Sequence, residues 1–595
     1  MTDLLQRLRE RKLGQWALAY LTGGWVLLQV LGLAAESYGW PRIVMQTSFG
    51  IIALGFVVAL VLAWYHGERG TQKLSGTELL ILTLLLAIGG VLLWRFAHTT
   101  HGFGAPGTGT ANQAANTDRK SIAVLPFVNM SGDKDNEYFS DGISEEILNV
   151  LARTPDLNVA ARTSSFSFKG KAMEVPAIAQ ALNVRMVLEG SVRKQGDRVR
   201  ITAQLIDAKT GYHVWSQTYD RELKDIFAIQ DQIAKAIGDE LEVKLAGTPA
   251  AGKNSVGTTN LKAYDLYLRG MALWQTRKPD DLWQSIDAFN QAIAADPKFA
   301  QAHGGLALSY DVIPDYSNKI SNPEAYAKAA NAAEMALGLD PTLPEPYVVL
   351  ASLAGSEGRR ETAITLYRRA IALRPSFATA YQWLGTEMLT AGDPAAGIVA
   401  LDHAAELDPR SLVVADNRAY VLLTLGRNAE ARVACERVLS FAPDYLGCQR
   451  RIAQAEFLRG DAEAARPFLL RNAELSNPGA VPLVNAVVDA LQGRGDRQAL
   501  ARRLAAFPGR SALDPTSGNI FSADEMPALL VMLGAPDLAL DYLERRVDDP
   551  GQSPVEWPMM LPALDPIRCT PRFKALVQRL KTNDPRAATV CGKGG

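Results

Sequence analysis

TLPEPYVVLASLAGSEGRRETAITLYRRAIALRP (residues 342–375) and SFATAYQWLGTEMLTAGDPAAGIVALDHAAELDP (residues 376–409) are successive 34-residue stretches, and each ends on a proline. The same 34-residue spacing connects Pro341, Pro375, Pro409 and Pro443. A further proline, Pro478, follows one residue late. Alanine returns five positions before the proline, at Ala336, Ala370 and Ala404. This period, with small residues at fixed places, predicts two close-packed antiparallel helices per unit, the second of which stops at the proline.

Bulky residues also recur at fixed places, eight positions before a proline and six positions after it. They are Phe289, Tyr367, Leu401, Tyr347 and Tyr381. Over residues 261–478 this pattern resembles the tetratricopeptide repeat family, with extra residues around 312–321 and Arg418 at an apolar position. The resemblance implies an all-α solenoid of stacked helix pairs, whose concave groove binds a protein or peptide ligand.

The family lines this groove with positions two, five and nine of the first helix of each unit. Carried onto this sequence, those positions predict a partner-binding groove made of Glu345, Val348, Ser352, Thr379, Gln382, Thr386, Val413, Asp416, Tyr420, Arg450 and Gln454. Ordinary solvent-facing surface is the open alternative for each of them. The proline register fades after Pro478, so we expect degenerate helical repeats over 479–582 and a tail over 583–595.

Length and composition narrow the possible functions. A chain of 595 residues is too long for one hydrophobic core, and roughly three to five domains are expected. The net charge of -1 offers no basic surface for phosphates, so no nucleic-acid partner is predicted. The four cysteines form no CxxC pair, which argues against a zinc module. No metal site and no cofactor are predicted.

The first hundred residues contain three apolar segments of membrane scale, at 13–35, 43–65 and 79–94. A bilayer core requires about 20 apolar helical residues, and the first two segments meet this length, whereas the third is marginal. We therefore predict a cytoplasmic amino terminus over 1–12 and three transmembrane α-helices over 13–96. A buried hairpin, or a third segment that only enters the membrane, remains open.

Basic residues are concentrated before the first segment and between the second and third, and such cationic flanks are retained in the cytoplasm. With three crossings, everything after the third segment lies outside the cytoplasm. The predicted location is a bacterial inner membrane, multi-pass, with the carboxy-terminal domains in the periplasm and the lipid bilayer as a partner.

Two small, polar stretches at 97–119 and 247–260 are predicted to be linkers, and an α/β pattern lies between them. The predicted strands and helices are, in order, strand 122–127, helix 138–153, strand 157–161, helix 175–182, hairpin strands 186–193 and 198–207, strand 213–219 and helix 225–245. They define a small domain over 120–246.

The peptides IAVLPF (122–127), SDGISEEI (140–147), the run from Val187 to Arg221 and FAIQDQIA (227–234) carry a second resemblance. They are similar to the amino-terminal domain of TolB, and to the related (FlgO-like) module that precedes tetratricopeptide repeats in many bacterial membrane proteins. The fold class expected for the whole chain is therefore multidomain: three transmembrane α-helices, a small α/β domain like that of TolB, and an all-α repeat solenoid.

Signs of catalysis are absent from the motifs. No GxSxG elbow and no HExxH motif occurs, so the chain is not expected to be an enzyme. Glu145 and Glu146 form an acidic pair. We interpret them as first-turn residues of a helix, where carboxylates interact favourably with the helix dipole.

The four cysteines fall into two local pairs, Cys435 with Cys448 and Cys569 with Cys591. In an oxidising periplasm either pair is able to form a disulfide. Free buried thiols are the alternative that the sequence leaves open.

These observations favour a membrane-tethered protein-protein interaction scaffold that uses its repeat groove outside the cytoplasm. The alternative is a ligand-sensing receptor subunit whose TolB-like domain binds a small molecule or an envelope component. The oligomeric state is not predicted.

Overall fold

The structure is a computed structural model that describes residues 120–133, 136–241, 256–317, 319–507, 520–548, 556–580 and 582–592. The chain divides into two compact units, residues 1–112 and 113–595, and all described residues belong to the second.

The amino-terminal part of this unit is a sheet domain. Its strands are β1 (Ser121–Val124), β2 (Val128–Asn129), β3 (Asn158–Val159), β4 (Met186–Gln195), β5 (Arg198–Asp207) and β6 (His213–Glu222). Its helices are α1 (Glu137–Ala152), α2 (Arg162–Phe166), α3 (Val175–Leu182) and α4 (Ile226–Glu240). The strand order is β3-β1-β4-β5-β6, with β2 also paired to β4. β1 is parallel to β3 and β4, while β4, β5 and β6 are antiparallel.

The spacing of apolar residues explains these strands and helices. In β5 the side chains of Val199, Ile201 and Ala203 are buried and their neighbours are not, as a sheet with one covered face requires. α1 and α4 bury their apolar sides in one core with β1, β4 and β5. Ile178 and Leu182 of α3 pack on the opposite face. The predicted α/β pattern is confirmed, with boundaries that shift by a few residues.

The repeat array follows. Its helices are α5 (Leu261–Gln275), α6 (Pro279–Ala295), α7 (Ala300–Val312), α8 (Asn322–Leu339), α9 (Pro344–Ser356), α10 (Arg360–Leu373), α11 (Ala378–Thr390), α12 (Pro394–Leu407), α13 (Leu412–Thr424), α14 (Asn428–Leu439), α15 (Leu446–Leu458) and α16 (Ala462–Ser476). Odd-numbered members are first helices of a unit and even-numbered members are second helices. Pro341, Pro375 and Pro409 each stand two residues beyond a second helix, which confirms the predicted stop.

The two irregular places are accommodated locally. The extra residues around 312–321 form a 3-10 turn, Ile313–Asp315, and a loop before α8. Arg418 stays half-buried because its Nε donates to Asp402 Oδ1 at 2.5 Å.

Further helices follow the array. They are α17 (Val481–Leu491), α18 (Arg497–Ala505), α19 (Met526–Met532), α20 (Pro536–Asp548), α21 (Glu556–Met559), α22 (Asp565–Arg568), α23 (Pro571–Leu580) and α24 (Ala587–Val590). A single apolar core joins α15 and α16 to α17–α20, α22 and α23.

The predicted fold class requires correction. The three predicted transmembrane helices over 13–96 lie outside the described residues. Within the described ranges, no helix has the length and apolar character needed to cross a bilayer. Even α8, with 18 residues, carries Glu324, Lys328 and Glu334. The fold that the structure supports is a sheet domain at 121–240 with an all-α repeat solenoid, and the predicted multi-pass inner-membrane location is corrected together with the fold class.

Candidate functional site

The eleven predicted groove residues lie on four first helices, α9, α11, α13 and α15. Three of them are buried, and each of these lies on a different helix: Val348, Tyr420 and Gln454. Val413 is 51% exposed, and the other seven are partly exposed. The contacts made by the rest of the chain explain why some positions are covered and others are open.

The sheet domain packs against loops that follow second helices. Ser376, after α10, donates its hydroxyl to the carbonyl of Leu157 at 3.1 Å and accepts from the backbone of Val159 at 3.2 Å. The backbone N–H of Ala161 donates to the carbonyl of Leu407, the last residue of α12, at 2.7 Å. Two successive repeat units therefore make backbone contacts with the sheet domain.

A charged cluster lies beside these contacts. Arg374, only 6% exposed, binds the predicted groove residue Glu345 at 2.6 Å. Glu146 of α1 is buried in the same cluster, where burial and then the charge of Glu145 raise its pKa to about 7. Arg374 and Arg153 act in the opposite direction on that pKa.

The interpretation of Glu145 and Glu146 as first-turn residues is wrong. α1 begins at Glu137 and ends at Ala152, so both lie near its middle and outside its first turn. Glu145 binds Arg162 at 2.8 Å, and Tyr267 of α5 donates its hydroxyl to Glu146 at 3.5 Å. The pair therefore meets cations and a phenol where the sheet domain contacts the repeats.

A second polar contact joins α2 to the loop after α12. The hydroxyl of Ser164 donates to Asp408, and burial raises the pKa of this carboxyl to about 6. Arg410 donates from its backbone to Ser164 Oγ at 2.8 Å and from Nε to Ser167 Oγ at 2.6 Å. The guanidinium of Arg410 also lies over the ring of Phe168, at 4.7 Å from its centroid.

The opposite ends of the first helices meet the carboxy-terminal part of the chain. The rings of Trp557 and Tyr420 lie 5.5 Å apart, and Trp557 Nε1–H donates to Thr390 Oγ1 at 2.9 Å. Gln454 donates to Glu525, before α19, at 3.0 Å. Two of the predicted groove residues are therefore covered by the protein's own chain.

Between these two contacts a stretch of the groove face stays accessible. We call it the open groove, and it consists of Ser352, Thr379, Gln382, Thr386 and Val413. These residues come from three successive first helices, α9, α11 and α13. Of the remaining predicted positions, Asp416 is held by Arg451 at 2.9 Å, and Arg450 is partly exposed on α15.

Both predicted cysteine pairs are close in space. The Cα atoms of Cys435 and Cys448 are 4.9 Å apart, and those of Cys569 and Cys591 are 5.5 Å apart, which are separations that a disulfide requires. The predicted periplasmic location no longer supports these disulfides, because that location is corrected. Both pairings stay predictions. In the described ranges, no group of three or more His, Cys, Asp or Glu side chains is placed to hold a metal ion.

Comparison with protein families separates the two parts of the unit. Residues 118–236 match the second domain of HilA/YgeH-like transcriptional regulators, and residues 344–377 match the tetratricopeptide repeat. Residues 344–377 are therefore a tetratricopeptide repeat within the array. The resemblance of the sheet domain to TolB is not confirmed, and the predicted absence of a nucleic-acid partner stays a prediction.

Among solved structures, the array is similar to a thermophilic tetratricopeptide-repeat protein of Thermus thermophilus, at 18% identity and a TM-score of 0.28. That match covers 33% of this chain and 99% of the other. PilF of Pseudomonas aeruginosa is 18% identical, with a TM-score of 0.30 over 36% of this chain and 91% of its own.

A curated relative changes the expectation about catalysis. Putative adenylate cyclase 3 of Rhizobium meliloti (strain 1021) is 39% identical over 236 residues, which are 39% of this chain and 40% of the relative. The chain thus spans about two fifths of that relative's length. The expectation that this protein is not an enzyme is corrected by this finding. It depended on motifs of serine hydrolases and zinc proteases, which do not bear on a nucleotide cyclase.

Proposed function

We propose that this protein is an interaction scaffold whose tetratricopeptide repeats bind a protein or peptide partner through the open groove. The observation that carries the proposal is the accessibility of the five open-groove side chains on three successive first helices. Ser, Thr and Gln side chains both donate and accept hydrogen bonds, which suits the backbone of an extended peptide. Val413 adds an apolar contact, because half of its surface is exposed.

The matched pair Val413→Glu and Val433→Glu tests this proposal. Val413 belongs to the open groove, whereas Val433 lies on α14, a second helix, and is 63% exposed. Crosslinking in intact cells followed by mass spectrometry identifies the partner of the wild type. We expect Val413→Glu to reduce the recovered crosslinks at least about ten-fold, and Val433→Glu to leave them unchanged. Equal effects of the two substitutions contradict the proposal.

We also propose the domain division made from the sequence, with residues 120–246, 261–478 and 479–582 as a sheet domain, repeats and degenerate repeats. The sheet domain's contacts with the loops after α10 and α12 support treating the first two as one body in function. Deleting the repeats is therefore a poor test of partner binding by the groove, because the deletion also exposes Glu146 and Ser164 of the sheet domain.

A second candidate is nucleotide cyclase activity, favoured by the 39% identity to a putative adenylate cyclase. Purified full-length protein is incubated with ATP and Mg²⁺, and cyclic AMP is measured against a heat-inactivated control. Cyclic AMP above the control supports this candidate. Its absence contradicts the candidate and leaves the scaffold proposal unaffected.

A further inference from the structure

Residues 556–580 and 582–584, which we call the C-terminal strap, return to the groove face after α20. The strap begins with EWPMMLPAL, residues 556–564, a stretch that carries no charge after Glu556. In sequence it is 167 residues away from the helix end that it touches. The covered part of the groove therefore already holds a peptide-like segment.

Three side chains near the start of the strap contact the array. Trp557 lies in the short helix α21, and Met560 and Leu561 lie in the turn directly after it, where their N–H groups donate to the carbonyls of Trp557 at 3.1 Å and Pro558 at 3.2 Å. Met560 and Leu561 are buried in the core of α13 and α15 that contains Tyr420 and Ile452. Apolar contact supplies the energy of this docking.

The indole of Trp557 adds a directional contact. A buried indole N–H requires an acceptor, and Thr390 Oγ1, at the end of α11, accepts at 2.9 Å. Thr390 is the last residue of that first helix, while Tyr420 is a predicted groove residue of the next one. The strap therefore binds the groove face at two neighbouring repeats, as a foreign peptide would.

The other end of the strap also touches α11. Thr582 donates its hydroxyl to the carbonyl of Thr390 at 2.9 Å, and Asn583 lies against Gly392. A Cβ added to Gly392 would lie 2.5 Å from the carbonyl oxygen of Asn583. Gly426, one repeat later and with a similar positive φ, has nothing within 4 Å of an added Cβ. Of the two added Cβ atoms, only the one at Gly392 would meet the strap.

Within the strap, charged contacts hold its two touching ends together. Arg568 donates to Asp584 at 2.7 Å and to the carbonyl of Leu561 at 3.0 Å. Arg586, which follows the strap, binds Asp565 of the strap through Nε at 3.0 Å. The strap thus has polar contacts within it, an apolar turn toward α13 and α15, and an apolar side that shares the core of α15–α20 through Ile567 and Phe573.

We propose that the C-terminal strap is a resident ligand of the groove, and that a partner peptide with a tryptophan followed at i+3 and i+4 by methionine or leucine displaces it. This inference goes beyond the proposed function, because the strap covers Thr390 and Tyr420 and leaves the open groove accessible. Because the strap is part of the chain, it occupies the site at high effective concentration. The apparent affinity for an added peptide is reduced by the fraction of protein in which the strap is bound.

The test uses the full-length protein and a fluorescein-labelled peptide of residues 556–565, EWPMMLPALD. Fluorescence anisotropy should show binding to Trp557→Ala at least about ten-fold tighter than to the wild type, because the variant's strap no longer competes. Gly392→Ala, which disturbs the strap from its other end, should show the same gain. Gly426→Ala is the control and should bind the peptide as the wild type does.

Two further measurements check that the peptide occupies the strap's own site. A peptide with alanine in place of its tryptophan should not bind any variant. Thr390→Val in the Trp557→Ala background should weaken peptide binding several-fold, since it removes the acceptor of the indole N–H and keeps the shape of the side chain.

Two outcomes overturn the inference. One is absence of peptide binding to both Trp557→Ala and Gly392→Ala when circular dichroism shows that both are folded. The other is equal binding to the wild type and to these variants. The proposed function fails separately, through the crosslinks of Val413→Glu, so the two failures are distinguishable.

Discussion

The two ends of the first helices are covered in different ways. At their amino-terminal ends the sheet domain attaches through buried charges and hydroxyls, such as Arg374, Glu146 and Asp408. At their carboxy-terminal ends the strap attaches through Trp557, Met560 and Leu561. Buried polar contacts are directional and costly to separate, whereas an apolar contact accepts any surface of suitable shape. The first contact is suited to fixing a domain and the second to exchange with a partner.

The largest effect is expected at the polar end. Arg374→Ala leaves Glu345 without its partner beside the buried Glu146, and loss of one member of a buried ion pair costs about 3–5 kcal/mol. Arg579→Ala is the control, because its ion pair with Asp548 is exposed and is worth at most about 1 kcal/mol. Urea unfolding of the two variants measures the difference. Equal destabilisation would mean that the cluster at Arg374 does not hold the sheet domain.

The next effect concerns the apolar end. If Cys569 and Cys591 form a disulfide, it ties the strap to the residues that follow it, and loops of this length gain about 3 kcal/mol from such a link. Non-reducing peptide mapping should find Cys569 joined to Cys591 and Cys435 joined to Cys448. The double variant Cys569→Ser/Cys591→Ser should lower the unfolding midpoint of the strap and leave the sheet domain unchanged. Four free thiols would remove this prediction.

The contact with the sheet domain should make the stability of the protein depend on pH, through Glu146. The pKa of Glu146 is about 7 in the folded protein and near 4.5 when unfolded, so the folded state binds more protons between these values. Stability therefore falls as pH rises from about 4.5 to 7, by about 3 kcal/mol at most. Glu146→Gln should flatten this slope and raise stability at pH 8. Unfolding midpoints at pH 5 and pH 8 provide the measurement, and an unchanged slope would contradict the role given to burial.

Sequence reasoning succeeded where the signal was local or periodic. The prolines and alanines at 34-residue spacing predicted the helix pairs, and the alternation around Gly196 predicted the β4–β5 hairpin. A further periodic signal was overlooked: Gly358, Gly392, Gly426 and Gly460 are also 34 residues apart, and each adopts a positive φ after a first helix. These glycines mark where each first helix ends.

The candidate site was predicted less completely, because its covering contacts join distant parts of the chain. Glu146 and the repeat residue Arg374 are far apart in sequence, so Glu146 looked like a helix-start residue. Tyr420 was correctly placed on a first helix, but its partner Trp557 lies in a region without repeat register. Position within a repeat gives the face of a side chain and does not reveal what covers that face.

The smallest expected effect is also the most selective. Gly392→Ala and Gly426→Ala both place an alanine at positive φ, which costs about 1–2 kcal/mol. Only the first also meets Asn583, so it should cost about 1 kcal/mol more. Thermal unfolding of the pair measures this difference. Equal destabilisation by the two substitutions would mean that Asn583 does not lie against Gly392.

Hydrogen exchange in this same pair tests most directly whether the strap occupies the groove. Mass spectrometry follows the exchange of backbone amides in residues 556–584 and in the sheet domain. We expect the strap to exchange faster in Gly392→Ala than in Gly426→Ala or the wild type, with the sheet domain unchanged in all three. Equal exchange of the strap in the two glycine variants would contradict a strap bound on the repeat groove.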